Sequence, residues 1–255
     1  MKLWFASQLN NTISEDVEFL LENYFDAYSY DIWQNPILSF SKEDYQSLNK
    51  LKENNKNILL HMPFFLPTNT SIPEIFDWVK KYVIRVIKSF KNYKIHSITF
   101  HTWYVEQIIK FDPTTLIKNL NKLNEICKIN WIQLNIENDD KNNDYPLRKD
   151  KIITQVLNST NASFTYDIWH WETAKINHTD FIKIHEDRIS VYHVHNNFGE
   201  DTHDSIDSGS ADYSKILPII EDYTKDDIVL ILEHFPYSKI LYNKNKLNDL
   251  LDKIN

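Results

Sequence analysis

Residues 96–138, HSITFHTWYVEQIIKFDPTTLIKNLNKLNEICKINWIQLNIEN, decide the fold of this 255-residue chain. HSITFHTW (96–103) and WIQLNIEN (131–138) are short runs rich in β-branched and aromatic residues, as strands require. Between them, PTTLIKNLNKLNEICK repeats its apolar residues at helical spacing. Strand, helix, strand is the unit that joins two parallel strands by a right-handed crossover.

The unit recurs along the whole chain. Further strands are expected at KLWFAS (2–7), AYSYDI (27–32), NILLHMPF (57–64), SFTYDIWH (163–170), ISVYHVHN (189–196) and IVLILEHF (228–235), which makes eight. Segments of helical period separate them, among them SEDVEFLLENYF, where Ser14 is the expected cap, and DYSKILPIIEDY. Eight alternating strand and helix units in about 250 residues predict an α/β fold, a closed (β/α)8 TIM barrel forming a single domain over 1–255. A doubly wound open sheet would carry a glycine-rich turn after its first strand; here that turn reads ASQLNN.

Composition narrows the function. A net charge of −8 gives no global attraction for nucleic acid, and no Lys/Arg run with interleaved aromatics is present. No run of about 18 apolar residues exists for a membrane span, and MKLWFASQLN lacks the signal-peptide pattern, so a cytoplasmic location is expected. The single cysteine, Cys127, sits on an apolar helix face and excludes both an internal disulfide and a cysteine-based zinc site. Any metal must therefore be held by His, Asp and Glu. No exposed apolar stripe argues for subunit pairing.

In a barrel of this kind functional side chains lie at the C-terminal ends of strands. Six consecutive strands place His, Asp or Glu there: His61, His101, Glu137, Asp167 with His170, His193, and Glu233. After strand 7 follows HVHNNFGEDTHDSIDSGSADY (193–213), with Asp201, His203 and both glycines of the chain, Gly199 and Gly209. Taken singly, each residue has an ordinary structural explanation. Together, so many ionisable groups converging on one mouth would be strongly destabilising without cations or a tight hydrogen-bond network. A divalent metal is the economical partner: imidazole and carboxylate without thiolate suit Zn, Mn, Fe, Co or Mg, and the share of imidazole favours a first-row transition metal. His96, His178 and His185 read as structural or exposed, and His234 as facing the helices. His195 shares a face with His193 by strand alternation, which leaves it either a group behind the ligands or an alternative ligand.

The chain resembles the xylose isomerase-like TIM barrel superfamily, which includes sugar and sugar-phosphate isomerases and epimerases and the endonuclease IV type of abasic-site nuclease. LLHMPF, TFH, LNIEN, YDIWH, HVHNN, the Asp-x-His loop with its Gly-x-x-Asp-aromatic ending, and LILEHF carry the resemblance, in strand order. It implies two tiers of ligands. Glu137, Asp167, His193 and Glu233 match the four-ligand metal site of the isomerases and epimerases, in which the two glutamates also move a proton through an enediolate. His61, His101, His170, Asp201 and His203 match the additional ligands of the trinuclear zinc centre of endonuclease IV. The resemblance thus implies one to three divalent ions, with zinc or manganese expected. One departure is Asn196, where the family commonly has Asp.

Three readings follow. The first is a divalent-metal-dependent isomerase or epimerase of a small sugar or sugar phosphate, with Glu137 and Glu233 as catalytic residues. Phe64, Trp103, Trp169, His195 and Asn196 would contact substrate, and Trp4 and Trp33 would join the apolar wall. The second is an endonuclease IV-like phosphodiesterase, disfavoured by the charge and by the lack of a basic loop. The third is a non-enzymatic sugar-binding barrel that kept its metal site.

Overall fold

A computed structural model describes residues 1–8, 11–32, 40–102, 111–140, 146–224 and 228–254. Eight parallel strands close into one barrel in sequence order. They are β1 (Lys2–Ala6), β2 (Ala27–Asp31), β3 (Asn57–His61), β4 (Ile95–Phe100), β5 (Gln133–Glu137), β6 (Ser163–Asp167), β7 (Ile189–Val194) and β8 (Val229–Leu232). Closure is made by β1 against β8, with Trp4 opposite Ile231. The expected TIM barrel is therefore the observed fold.

The helices among the described residues are α1 (Ile13–Glu22), α2 (Lys42–Glu53), α3 (Pro73–Ser89), α4 (Pro113–Ile129), α5 (Asp150–Ser159), α6 (Ile168–Thr173), α7 (His178–His185), α8 (Tyr213–Tyr223) and α9 (Tyr237–Leu251). Local chemistry starts them. Thr12, not Ser14, caps α1: its hydroxyl accepts from the Glu15 N–H while the Glu15 carboxylate accepts from the Thr12 N–H. Ser41 and Asp44 make the same reciprocal pair at α2, and Asp112 with Pro113 opens α4. None of the described helices is long and apolar enough to cross a membrane.

Strand alternation sorts the core into two layers. Phe5, Tyr28, Tyr30, Leu60, Ile98, Phe100, Leu134, Ile136, Phe164, Tyr166, Tyr192, Leu230 and Leu232 face outwards into one large cluster with the helices. Facing inwards, Trp4, Ala6, Ala27, Leu59, Val191, Val229 and Ile231 fill one side of the barrel. On β4 to β6 the filling is polar but paired: Thr99 and Thr165 hydroxyls lie 2.9 Å apart, and the Asn135 amide donates to Thr165 at 3.3 Å. Cys127 is buried in α4, and burial pushes its thiol up to about 12. Because both faces of each strand are covered, the sequence runs look continuously apolar, and only the last inward position of a strand is released to carry chemistry.

Several strands end earlier than their apolar runs. SFTYDIWH was expected to be one strand over 163–170, but β6 stops at Asp167 and α6 begins at Ile168. The cause is Asp167 itself, whose Oδ1 accepts the His170 N–H at 2.7 Å and caps the helix. The turn carries His170 back over the mouth.

Candidate metal centre

Stepping two residues up each inward row leads to the mouth: Leu59 to His61, Thr99 to His101, Asn135 to Glu137, Thr165 to Asp167, Val191 to His193, Ile231 to Glu233. Strand register sets several of them side by side, with Asp167 paired to His193 across β6 and β7. They meet below a cavity of about 460 Å³.

The inner group centres on the buried His193 ring. Its Nδ1 lies 2.9 Å from Glu137 Oε1, 3.2 Å from Glu233 Oε2 and 3.9 Å from Asp167 Oδ2. Glu137 reaches both ways, since its Oε2 sits 3.0 Å from His61 Nε2 and 3.5 Å from His101 Nε2. Burial alone would raise the Glu137 carboxyl, but His193, His101 and His61 outweigh it and hold it well below the carboxylate range. Glu233 likewise falls to about 2 against the effect of its burial, through His193 and His203. Burial would depress His193, yet Glu137 and Glu233 raise it well above the ordinary imidazole value. Carboxylate charge thus concentrates around the His193 ring, an arrangement that favours positive charge there.

The outer group lies at the rim. Asp201 Oδ2 is 3.5 Å from His170 Nε2 and its Oδ1 is 3.4 Å from His203 Nε2. The other nitrogen of each ring is committed: His170 Nδ1 bonds the Asn138 carbonyl and His203 Nδ1 the Glu233 carbonyl, both at 2.8 Å. Those nitrogens must be donors, which leaves each neutral ring with an Nε2 lone pair aimed at a carboxylate. Lone pair against lone pair is repulsive until a proton or a metal ion stands between them, and rings oriented through Nδ1–H are how proteins present imidazole to metals. The donor set therefore fits a divalent cation at both groups. Burial opposes protonation of His203, but Asp201 outweighs it and raises the ring to about 9.

The loop after β7 is built to hold the outer group. Asn196 is fully buried: its Nδ2 donates to the Ile206 and Ala211 carbonyls at 2.8 and 2.9 Å, and its Oδ1 accepts from the Asn197 and Ala211 N–H groups. A Cβ on Gly209 would come 2.1 Å from that Oδ1, so close packing demands glycine there. Gly199 has φ +90, a backbone that glycine adopts without strain. His203 itself takes φ 51.

The sequence pattern of the xylose isomerase-like TIM barrel family matches residues 17–253. The chain belongs to that family. Comparison with the curated proteins gives no match. Among solved structures, the D-tagatose 3-epimerase-like protein is similar with a TM-score of 0.87 at 18% identity, over 100% of this chain and 98% of the other. The IolI protein with a bound zinc atom gives 0.83 at 15% identity, over 100% and 99%. Endonuclease IV from Thermus thermophilus gives 0.73 at 12% identity, over 99% and 100%. At such identities the likeness is one of fold.

In this xylose isomerase-like barrel all nine residues of the two expected ligand tiers meet at the mouth, in the two groups described. The expected substrate contacts divide. Phe64 lines the cavity and is 44% exposed, and His195 lines it too. Trp103 and Trp33 lie outside the described residues. Trp169 and Asn196 do not line the cavity: Trp169 is buried behind His195 and donates its indole N–H to the Asn197 carbonyl, and Asn196 is spent on the loop backbone. Both assignments are corrected. Trp4 fills the barrel interior against His96 rather than walling the mouth. His178 and His185 hydrogen-bond Tyr166 and Thr154 among the helices, as structural histidines would. His234 is buried outside the cavity lining, and burial holds its ring well below the usual value.

Sequence reasoning missed Asp31, Asp139, Asp140, Ser7, Ser29, Met62 and Phe235, all of which line the cavity. Asp31 had a signal: it ends β2 at an inward position, in register with His61. Asp139 had none, because it lies beyond the strand, 3.6 Å from His101 Nδ1, where only the fold brings it.

Proposed function

We propose that this chain is a divalent-metal-dependent isomerase or epimerase of a small sugar, with Glu137 and Glu233 moving the proton. The observation that carries the reading is the meeting of Glu137, Asp167 and Glu233, from the C-terminal ends of β5, β6 and β8, around one nitrogen of His193. Zinc or manganese suits this imidazole and carboxylate set, held by Glu137, Asp167, His193 and Glu233. When bound, the cation would polarise the substrate carbonyl and stabilise negative charge developing on its oxygen.

The chain's own residues supply the rest. Glu137 Oε and Glu233 Oε are carboxylates at neutral pH, so either can take a proton from the carbon beside the carbonyl. That group can give the proton back, or the other can deliver one to the opposite face after drawing it from solvent. Asp31, Asp139, Asp140 and Ser7 offer acceptors to sugar hydroxyls, and Phe64 and Phe235 offer apolar faces. Among the described residues, no Lys or Arg lines the cavity, which favours an uncharged sugar over a sugar phosphate.

A second reading, an endonuclease IV-like phosphodiesterase, is favoured by the outer group of His170, Asp201 and His203. The acidic lining argues against it, since a duplex brings one phosphate charge about every 1.7 Å. The test is to reconstitute the protein with zinc or manganese, count bound ions, and assay ketoses beside abasic-site duplex DNA. Sugar turnover without DNA cleavage is expected. Three zinc ions per chain with DNA cleavage and no sugar turnover would replace the first reading by the second.

A further inference from the structure

His195 is close enough to Asp167, His170, His203 and Glu233 to pass for a metal ligand in two different groupings. Hydrogen-bond chemistry says otherwise, and a buried neighbour, Asn197, decides it. One atom of the Asn197 amide receives the Thr202 N–H at 2.9 Å and the Asp204 N–H at 3.1 Å, together with the Thr202 hydroxyl. Backbone N–H groups only donate, so that atom is the oxygen, and the amide orientation follows from the structure itself. The other atom is an NH2, which has hydrogens to give and nothing to accept with. It lies 2.9 Å from His195 Nδ1 and 3.3 Å from Asp201 Oδ1.

His195 Nδ1 must therefore accept, so it carries no proton. The ring's single proton sits on Nε2, which is 2.8 Å from Asp167 Oδ2. A nitrogen that is donating a proton has no lone pair for a metal. The ring is further clamped by the parallel His203 ring, 4.3 Å away at 9°, and by Trp169 at 5.8 Å. Asp167 is left with Oδ1 fixed by the His170 N–H and Oδ2 fixed by His195.

We infer that His195 is a positioning residue: Asn197 locks its tautomer, and its Nε2–H holds the Asp167 carboxylate in the orientation that meets the metal. Asn197 also holds Asp201, so one amide ties the inner and outer groups together. The inference rests on Asp167 being a metal ligand as proposed above, but its first test does not need the metal.

In metal-free, nitrogen-15-labelled protein, long-range proton–nitrogen correlation spectra report which ring nitrogen of each histidine is protonated. His195, assigned by the signal lost in His195→Gln, is expected to show a protonated Nε2 and a bare Nδ1. Asn197→Asp replaces the donor by an acceptor, so that carboxylates face both ring nitrogens, and is expected to add a proton at Nδ1 while Nε2 keeps its own. A wild-type His195 protonated at Nδ1 would overturn the inference. The second test is zinc affinity by competition with a chelator. His195→Gln, whose amide N–H can replace Nε2–H, is expected to stay within a few fold of wild type, and His195→Phe to bind 10–100-fold more weakly. Equal losses in Gln and Phe variants would make His195 a ligand and refute the positioning role. Absence of sugar turnover, with both results as expected, would count against the proposed reaction alone.

Discussion

Replacing Asn196 by Asp, a change of one atom type in the side chain, is expected to damage this protein. The Asn196 Nδ2 donates to two buried carbonyls, Ile206 and Ala211, which a carboxylate would meet with negative charge and no hydrogen. The cheaper escape is protonation. Holding an Asp neutral at pH 7 against an ordinary value near 3.9 costs about 4 kcal/mol, at about 1.4 kcal/mol per pH unit. A protonated Asp has one hydrogen for two carbonyls, and the one left unsatisfied adds about 1 kcal/mol or more. The total is about 5 kcal/mol, or a melting temperature lower by about 10–20 °C for a chain of this size. Urea unfolding of the metal-free protein measures it. Because the folded variant binds a proton that the unfolded chain releases, its deficit should shrink as pH falls from 7 towards 4. A variant within 1 kcal/mol of wild type at pH 7, or one equally destabilised at pH 5 and pH 7, would show that Asn196 is not the donor this loop depends on.

Glu233→Gln should lower turnover by about 10²–10⁴ while leaving the circular dichroism spectrum unchanged, since an amide keeps the shape but cannot carry the proton; turnover within tenfold of wild type would remove Glu233 from the proton-transfer role. Asp16, on the buried face of α1, is raised to about 6 by that burial, against hydrogen bonds from Tyr28, Tyr237 and the Gln8 N–H. A raised carboxyl means that the folded state keeps a proton between about pH 4 and 6 that the unfolded state loses. Stability should therefore fall by about 3 kcal/mol as pH rises through that window. Asp16→Asn should lack this fall, and parallel stability profiles for the two proteins would show the assignment to be wrong.

The barrel was legible in the sequence because each strand is covered on both faces and each helix on one, so period and punctuation report the alternation directly. Most of the mouth residues were legible for the same reason: His61, Glu137, Asp167, His193 and Glu233 each close or nearly close an apolar run, and such runs end at the mouth. Legibility ended where the chain left the strand. Asp139 and Asn197 act from loops whose return to the mouth depends on distant contacts. Trp169 looked like a cavity wall because its run reads as strand, whereas the Asp167 cap turns it into α6 and buries the indole. Asn196 looked like a weakened functional residue and is instead the hub of the loop that carries Asp201 and His203, with Gly209 packed against its side chain.

If the mouth moves a proton at carbon with the help of a bound cation, isotope exchange reads that step without any need to identify the natural sugar. Metal-loaded protein is incubated in D2O with a panel of ketoses, and deuterium at the carbon beside the carbonyl is read by mass spectrometry. Wild type should incorporate one deuterium at that carbon, and Glu137→Gln and Glu233→Gln should not. Metal-saturated wild type that exchanges nothing in any sugar, while cleaving abasic-site DNA, would contradict it.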